Sequence, residues 1–471
     1  MLLTISIVLY AVIMLAVGLY AARKVKNSTD YVLAGRSLPF YMALATVFAT
    51  WFGSESILGT SARFAEGGFS NIVEDPFGFA LCLIIIGIFF NRKLYGLNFL
   101  TIGDYFKHRY NTLIAVFLSL VIIVSYFGWV AAQFLALGIV ISTLFASISL
   151  PLAILIAAAL VVVYTYFGGM YSIATLDTLQ SLVIIIGLSV IAFFLVGEVG
   201  GFSTLIQGTP DTFFTFSPGT SGNLTEWLVF ITALMTAAFG SIPQQDVYQR
   251  AMSAKSATVS MWASIVGGFV YFAIVMLPIT IVASARILYP ELAATDLENL
   301  LLRTIQEHTP VVLQVLFFGA LISAIVSTAS GALLAPGTLL AENIVKPFYK
   351  NINDILRLRI IRIAVIVVAA VGTTLALKDN ARIYELVSSA YSVTLVAGFI
   401  PLVFGLYTKW VNPFGAFFSV ISGITFWQMA ERVGTDIPPT LIGFCASFIA
   451  IIIGSCAGYF IDKNIHNESS K

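Results

Sequence analysis

Ala49-Thr50-Trp51-Phe52-Gly53-Ser54-Glu55-Ser56 lies in the middle of an apolar run that begins near residue 39 and ends near residue 64. Gly is a poor helix former, and a membrane-crossing helix must satisfy its own backbone. A Phe-Gly-Ser triplet followed by an acid therefore reads as a break whose freed backbone groups line a cavity or bind an ion. The triplet recurs at Phe239-Gly240-Ser241, with Pro243 two residues further on. A glycine-rich chain can also produce two such triplets by chance, so their placement among the other apolar runs matters.

Those runs fill the chain. A membrane helix needs about 20 mainly apolar residues. The sequence predicts helical spans at 2–22, 39–64, 73–95, 112–144, 150–167, 178–197, 225–249, 256–286, 309–337, 357–377, 383–407, 411–430 and 438–461, numbered spans 1 to 13 below. The triplets fall in spans 2 and 7. Five spans separate the two units, an odd number, so the units face opposite ways. Spans 2–6 and 7–11 are thus expected to be inverted halves, an arrangement common in membrane carriers.

Composition agrees. Of 471 residues, 59% are hydrophobic and 10% charged, where soluble domains carry roughly 25% charged residues. The solvent must be lipid, and a net charge of +1 argues against a nucleic-acid partner. Cys82, Cys445 and Cys456 sit in apolar runs at no metal-ligand spacing and read as small core or lipid-facing residues. The run Leu2 to Ala22 is too long for a signal-peptide core and is expected to be a retained helix.

Charge placement tests the count. With the N-terminus outside, 18 of the 24 Lys and Arg residues fall on the inner side, from Arg23 and Lys24 through Lys350 and Arg357 to Lys471. Arg63, Arg286, Arg303, Lys378, Arg382 and Arg432 remain outside. This bias follows the positive-inside rule and places the C-terminus inside.

Span 9 carries Ala324-Ile325-Val326-Ser327-Thr328-Ala329-Ser330-Gly331. A hard monovalent cation wants oxygen ligands. The Ser327 and Thr328 hydroxyls and the Ala324 carbonyl offer three, and the broken span 2 offers two more, the carbonyls of Ala49 and Phe52. Ser and Thr in membrane helices also serve as simple helix-to-helix glue. A pocket for an organic solute belongs at midplane between the broken helices. Its candidates are Trp51, Ser54, Glu55 and Ser56 on span 2, Trp129 and Gln133 on span 4, and Phe239, Gln244, Gln245 and Asp246 on span 7. Acids inside a membrane cost at least about 2.5 kcal/mol on insertion scales. Glu55 and Asp246 therefore either contact a cationic or polar solute or pair with a neighbour; Asp246 and Arg250 stand four apart on one face. The two tryptophans suit a cation or ordinary helix packing.

The chain resembles the sodium:solute symporter family. The resemblance is carried by Asp30 to Pro39, Gly168-Gly169-Met170-Tyr171-Ser172 with Asp177, Gln249-Arg250, and Ala324 to Ser330, spread in the family's order. It implies an all-α polytopic membrane protein with a leucine-transporter-type 5+5 inverted-repeat core, one helix before it and two after. It implies a sodium site on Ala49, Phe52, Ala324, Ser327 and Thr328. A second sodium, present in some members, would fall on Asp177, Ser327 and Ser330, although Asp177 also reads as an N-cap of span 6. Where the family often carries Ala-Asp-Ser, this chain has Ala329-Ser330-Gly331, so one sodium is expected. Ala49-Thr50-Trp51 and Trp129 to Gly138 are similar to a choline-carrying branch, but Gln244 follows Ile242-Pro243 where that branch has Trp.

The expected protein is a single membrane transport domain over 1–471. It comprises a peripheral helix and inner loop (1–38), a first repeat (39–197), a second repeat (225–407), and two peripheral helices with a tail (411–471). The expected function is sodium-coupled import of a small organic solute, a zwitterion or amine before choline, sugar or carboxylate, across a bacterial inner membrane. A passive channel is the rival. An enzyme is not expected, since His108, His308 and His466 lie in connections or the tail.

Overall fold

The computed structural model describes residues 2–469 apart from 146, 220–221, 296–298, 350–351 and 379–381. Lys350 and Lys471, counted above on the inner side, lie outside the described residues. Among the described residues all regular structure is helical except one isolated bridge, Leu38 with Ala254. Among the described residues, eight helical stretches are long and apolar enough to cross a membrane, nine when the bent pair Leu224–Gly240 and Gln245–Ser253 counts as one.

Two of the expected boundaries move. Glu55–Leu97 is a helical run of 43 residues; at 1.5 Å per residue it would be about 65 Å long, twice the hydrocarbon core. It is broken at Gly68 (φ 78°) and again at Asp75 (φ −126°, ψ 115°), so it holds the end of span 2 and the whole of span 3. Leu150–Val199 is likewise interrupted at Gly169 (φ 56°, ψ −169°). A Cβ there would lie 2.6 Å from the Tyr31 ring and 2.8 Å from its carbonyl, so only Gly fits. Span 6 accordingly starts just past Gly169, not at 178. The Thr175 and Thr178 hydroxyls fold back on the carbonyls four residues earlier, 2.8 Å each, and so do not end the helix. Asp177 therefore stands inside span 6, and its reading as an N-cap is corrected.

Span 2 is helical over Phe40–Trp51, leaves helical geometry at Phe52 (φ −92°, ψ 78°) and resumes at Glu55. Span 7 runs Leu224–Gly240, turns through Ser241 to Pro243, and continues as Gln245–Ser253 at 49° to its first half. Both breaks occur at the Phe-Gly-Ser triplets. Val311–Leu339 is buried along most of its length and packs on the 150–199 helix and on Thr112–Leu144. Leu2–Ala22 lies at the periphery, and Pro413–Val433 packs chiefly on Pro439–Ser469.

Candidate functional site

Where span 2 breaks, its last carbonyls are released from helical bonding. Phe52 N–H donates to Phe48 O at 3.0 Å, and the Ala49 carbonyl accepts the Thr328 hydroxyl at 3.0 Å. Ala49, Phe52, Ala324, Ser327 and Thr328 are all fully buried. Thr328 lies directly over Gly53: a Cβ on Gly53 would be 2.9 Å from both its Oγ1 and its methyl. The structure brings Ala49 and Thr328 into direct contact and places Ser327 beside them on the same helix. The Ala49 carbonyl and Thr328 hydroxyl meet at this helix crossing.

Asp177 extends this cluster. Its two oxygens accept the hydroxyls of Thr46 and Ser327. Ser330 does not join it; its hydroxyl bonds the Ser327 carbonyl at 2.8 Å. Gly331 leaves room for Arg250, whose Nη2 would be 2.1 Å from a Cβ at that position. Arg250 is buried, and its Nη1 reaches the Asp246 backbone carbonyl at 3.4 Å. The expected Asp246–Arg250 side-chain pairing is thus replaced by a backbone contact. The Asp246 carboxylate instead accepts the Tyr126 hydroxyl, which in turn accepts Asp246 N–H at 2.9 Å.

Near this polar cluster the aromatic side chains of Trp51, Phe79, Trp129 and Tyr391 form a box. The Trp51 ring lies 5.1 Å from Phe79 and 6.3 Å from Tyr391; Phe79 lies 5.0 Å from Tyr391, and Trp129 6.1 Å from Tyr391. Glu55 accepts Trp129 Nε1–H at 3.1 Å and Gln133 Nε2–H at 2.8 Å, while Gln133 Oε1 accepts Ser54 N–H at 3.2 Å. Ser56 bonds Asp75 at 3.0 Å and Tyr271 at 2.8 Å, and the Tyr271 hydroxyl donates to Asp75 at 2.5 Å. Of the expected pocket residues, Trp51, Ser54, Glu55, Ser56, Trp129 and Gln133 therefore converge, and Asp246 adjoins them through Tyr126, 5.8 Å from Trp129. Phe239 does not join them; it stacks on Phe399 at 4.9 Å. Gln244 is buried with an unpartnered Nε2, and Gln245 binds Ile102 N–H at 2.8 Å, toward the predicted inner side.

Sequence reading missed Asp75, Tyr271, Phe79, Tyr126 and Tyr391. Glu74-Asp75-Pro76 resembles the polar start of a helix, and the backbone break at Asp75 turns its carboxylate back toward Ser56. The tyrosines and Phe79 carry no local mark that separates a box wall from packing.

A cavity of about 520 Å³, one turn along from Glu55, is lined by Leu58, Gly59, Arg63 and Tyr384 among others. On the side read as inner, Thr101 bonds Asn343, Tyr248 bonds the Phe99 carbonyl, and Arg109 bonds the carbonyls of Gly405, Thr408 and Val411. No group of three or more His, Cys, Asp or Glu side chains placed to hold a metal occurs among the described residues.

A broken span 2 that meets span 9 at buried oxygens, with a second broken span at Gly240–Pro243, is the arrangement of a membrane carrier with inverted repeats. The sodium:solute symporter family model matches residues 31–423, and the chain belongs to that family. It is 27% identical over 449 residues to the human high affinity choline transporter 1, covering 89% of this chain and 75% of that protein. To the Drosophila melanogaster high-affinity choline transporter 1 it is 28% identical, covering 88% and 68%. A solved outward-open, substrate-bound Na+-coupled sialic acid symporter superposes with TM-score 0.85 at 20% identity over 97% of this chain and 98% of that one. MhsT in complex with L-phenylalanine gives TM-score 0.59 at 14% identity over 88% and 97%. These likenesses establish the all-α, leucine-transporter-type fold of a multi-pass membrane protein.

Proposed function

We propose that this chain is a sodium symporter that imports a small organic amine by alternating access. The observation that carries the reading is the aromatic box with Glu55 and Asp75 in its walls, set against the oxygen cluster of Ala49 and Thr328. Aromatic faces and carboxylates both favour a cation. The amine half of the zwitterion-or-amine expectation is therefore preferred; a substrate carboxylate would face these acids. Gln244, with its free amide donor, is the residue that would receive a polar substituent. Choline is the second reading, favoured by the high-affinity choline transporters that the chain resembles.

Sodium would bind first, at Ala49, Phe52, Ala324, Ser327 and Thr328, and hold the broken span 2 against span 9. A single sodium is the reading supported by Arg250 over Gly331 and by Ser330 turned to its own helix; Asp177 and Ser330 are the place of a second. Substrate would enter through the cavity above Leu58 and Tyr384, on the side read as outside. Closure there and opening of the Gln245–Ile102 side would release both to the interior. The membrane potential adds about 2.3 kcal/mol per charge per 100 mV. We count thirteen crossings with the N-terminus outside the cell membrane, repeats at 39–197 and 225–407, and no enzymatic role. Amine uptake into proteoliposomes driven by an imposed sodium gradient tests this; uptake indifferent to that gradient would favour a passive channel.

A further inference from the structure

We propose that a second cavity, under the first helix, is a binding site for a neutral single-chain amphiphile, a long-chain alcohol. The cavity measures about 390 Å³ and lies between Leu2–Ala22, Thr112–Leu144, Leu150–Val199 and Val311–Leu339. Val8 and Leu160 in its wall are exposed, so the bilayer reaches it directly. It is separate from the ion cluster, which lies on another face of the last of these helices, where Ser327 meets Asp177.

The wall is apolar except at Tyr10 and Gln180. Gln180 is 2% exposed, and its Oε1 has no hydrogen-bond partner. Native interiors rarely keep a buried polar atom unsatisfied, because nothing repays its desolvation. The missing donor has to come from the cavity. Tyr10 asks for the same partner. The Ser323 hydroxyl donates to the Gly319 carbonyl at 2.6 Å, so it accepts in its bond with Tyr10. The single Tyr10 proton is thereby used, and the Tyr10 oxygen is left as an acceptor. Both polar groups of the wall therefore call for a donor on the occupant. That donor is neutral. Among the described residues no Asp, Glu, Lys or Arg lines the cavity. Ile322 and Val326 stand midway along Val311–Leu339, which puts this wall near the centre of the bilayer, where a charge is costly. An ammonium or a phospholipid headgroup is thus excluded, and a hydroxyl on a hydrocarbon chain is the group that fits. At roughly 30 Å³ for each water-sized group, the volume holds about 13 non-hydrogen atoms, one chain of about twelve carbons with its oxygen.

The protein in phosphatidylcholine nanodiscs is photolabelled with a dodecan-1-ol carrying a mid-chain diazirine, and adducts are mapped by mass spectrometry. Labels are expected on the peptides that hold Tyr10 and Ile322. Dodecan-1-ol should displace them at a membrane mole fraction about two- to tenfold below that of dodecane, as one or two neutral hydrogen bonds give. Gln180→Leu should erase this difference, and Tyr10→Phe, which keeps the ring, should leave it in place or reduce it. Equal displacement by alcohol and alkane in the wild type, or a difference that survives Gln180→Leu, overturns the proposal. Labels spread evenly over lipid-facing helices overturn it too. Displacement by dioleoylglycerol at the mole fraction that dodecan-1-ol needs assigns the cavity to a two-chain lipid and overturns the single-chain occupant. If Gln180→Leu does not fold, the wild-type comparison of alcohol with alkane decides.

Discussion

Thr328→Val removes one hydroxyl from the oxygen cluster and keeps the shape of the side chain. The Thr328 methyl already touches the space over Gly53, and Val supplies the same contact. What is lost is the oxygen 3.0 Å from the Ala49 carbonyl. A hydrogen bond or ligand contact to a charged group contributes about 1.5–3 kcal/mol, and about 1.4 kcal/mol is tenfold in affinity. Four other oxygens remain and the cluster can relax, so the lower end applies: the sodium concentration for half-maximal uptake should rise by roughly tenfold. The maximal rate at saturating sodium should change little. Sodium titrations of uptake and of the thermal midpoint, with potassium replacing sodium at constant ionic strength, separate ion affinity from fold; ligand stabilisation grows as RT ln(1 + [L]/Kd). Ser327→Ala should behave similarly and more severely, because its hydroxyl also bonds Asp177. Unchanged sodium dependence in both well-folded variants would refute the placement of the ion.

The sodium-to-substrate ratio, from the charge moved per substrate corrected for the substrate's own charge, should be one; a ratio of two that falls to one in Asp177→Ala would establish a second ion. Gly331→Ala drives a methyl into Arg250 and should destabilise the protein by about 1–3 kcal/mol, with a coupling of at least about 0.5 kcal/mol to Arg250→Met in a double-mutant cycle of thermal unfolding. Trp51→Leu removes one face of the box and should weaken amine binding by about two- to thirtyfold, as expected for a cation–π contact of about 0.5–2 kcal/mol, read from competition uptake. Gln244→Ala should weaken binding of the native substrate and Gln244→Trp should favour simple quaternary ammonium ions; if neither moves preference while sodium dependence stays normal, Gln244 is outside the site.

Much of this protein is legible in one dimension. Apolar runs long enough for a bilayer announce membrane helices because no other fold satisfies a backbone in lipid. Phe52-Gly53-Ser54 and Phe239-Gly240-Ser241-Ile242-Pro243 announce breaks because Gly and Pro withdraw helical stability wherever they stand. Ser327-Thr328 announces a buried polar contact because two hydroxyls in an apolar helix are chemically conspicuous. Boundaries were less legible: Asp177 and the threonines around it look like the edge of a helix, whereas hydroxyls that bond their own helix let it continue from Gly169 onward.

By itself the sequence determined the solvent, the helical class and the two breaks, all properties set within a few turns of chain. Only the tertiary structure decided which acids share a pocket. Asp75 reaches Ser56 and Tyr271, nineteen and 196 residues away, and Tyr126 reaches Asp246 across 120 residues. Arg250 settles over Gly331, and Phe239 turns to Phe399 instead of the box. Such contacts depend on how far each helix is rotated and where each break points it. Those angles come from packing helices against one another, and no local spacing encodes them.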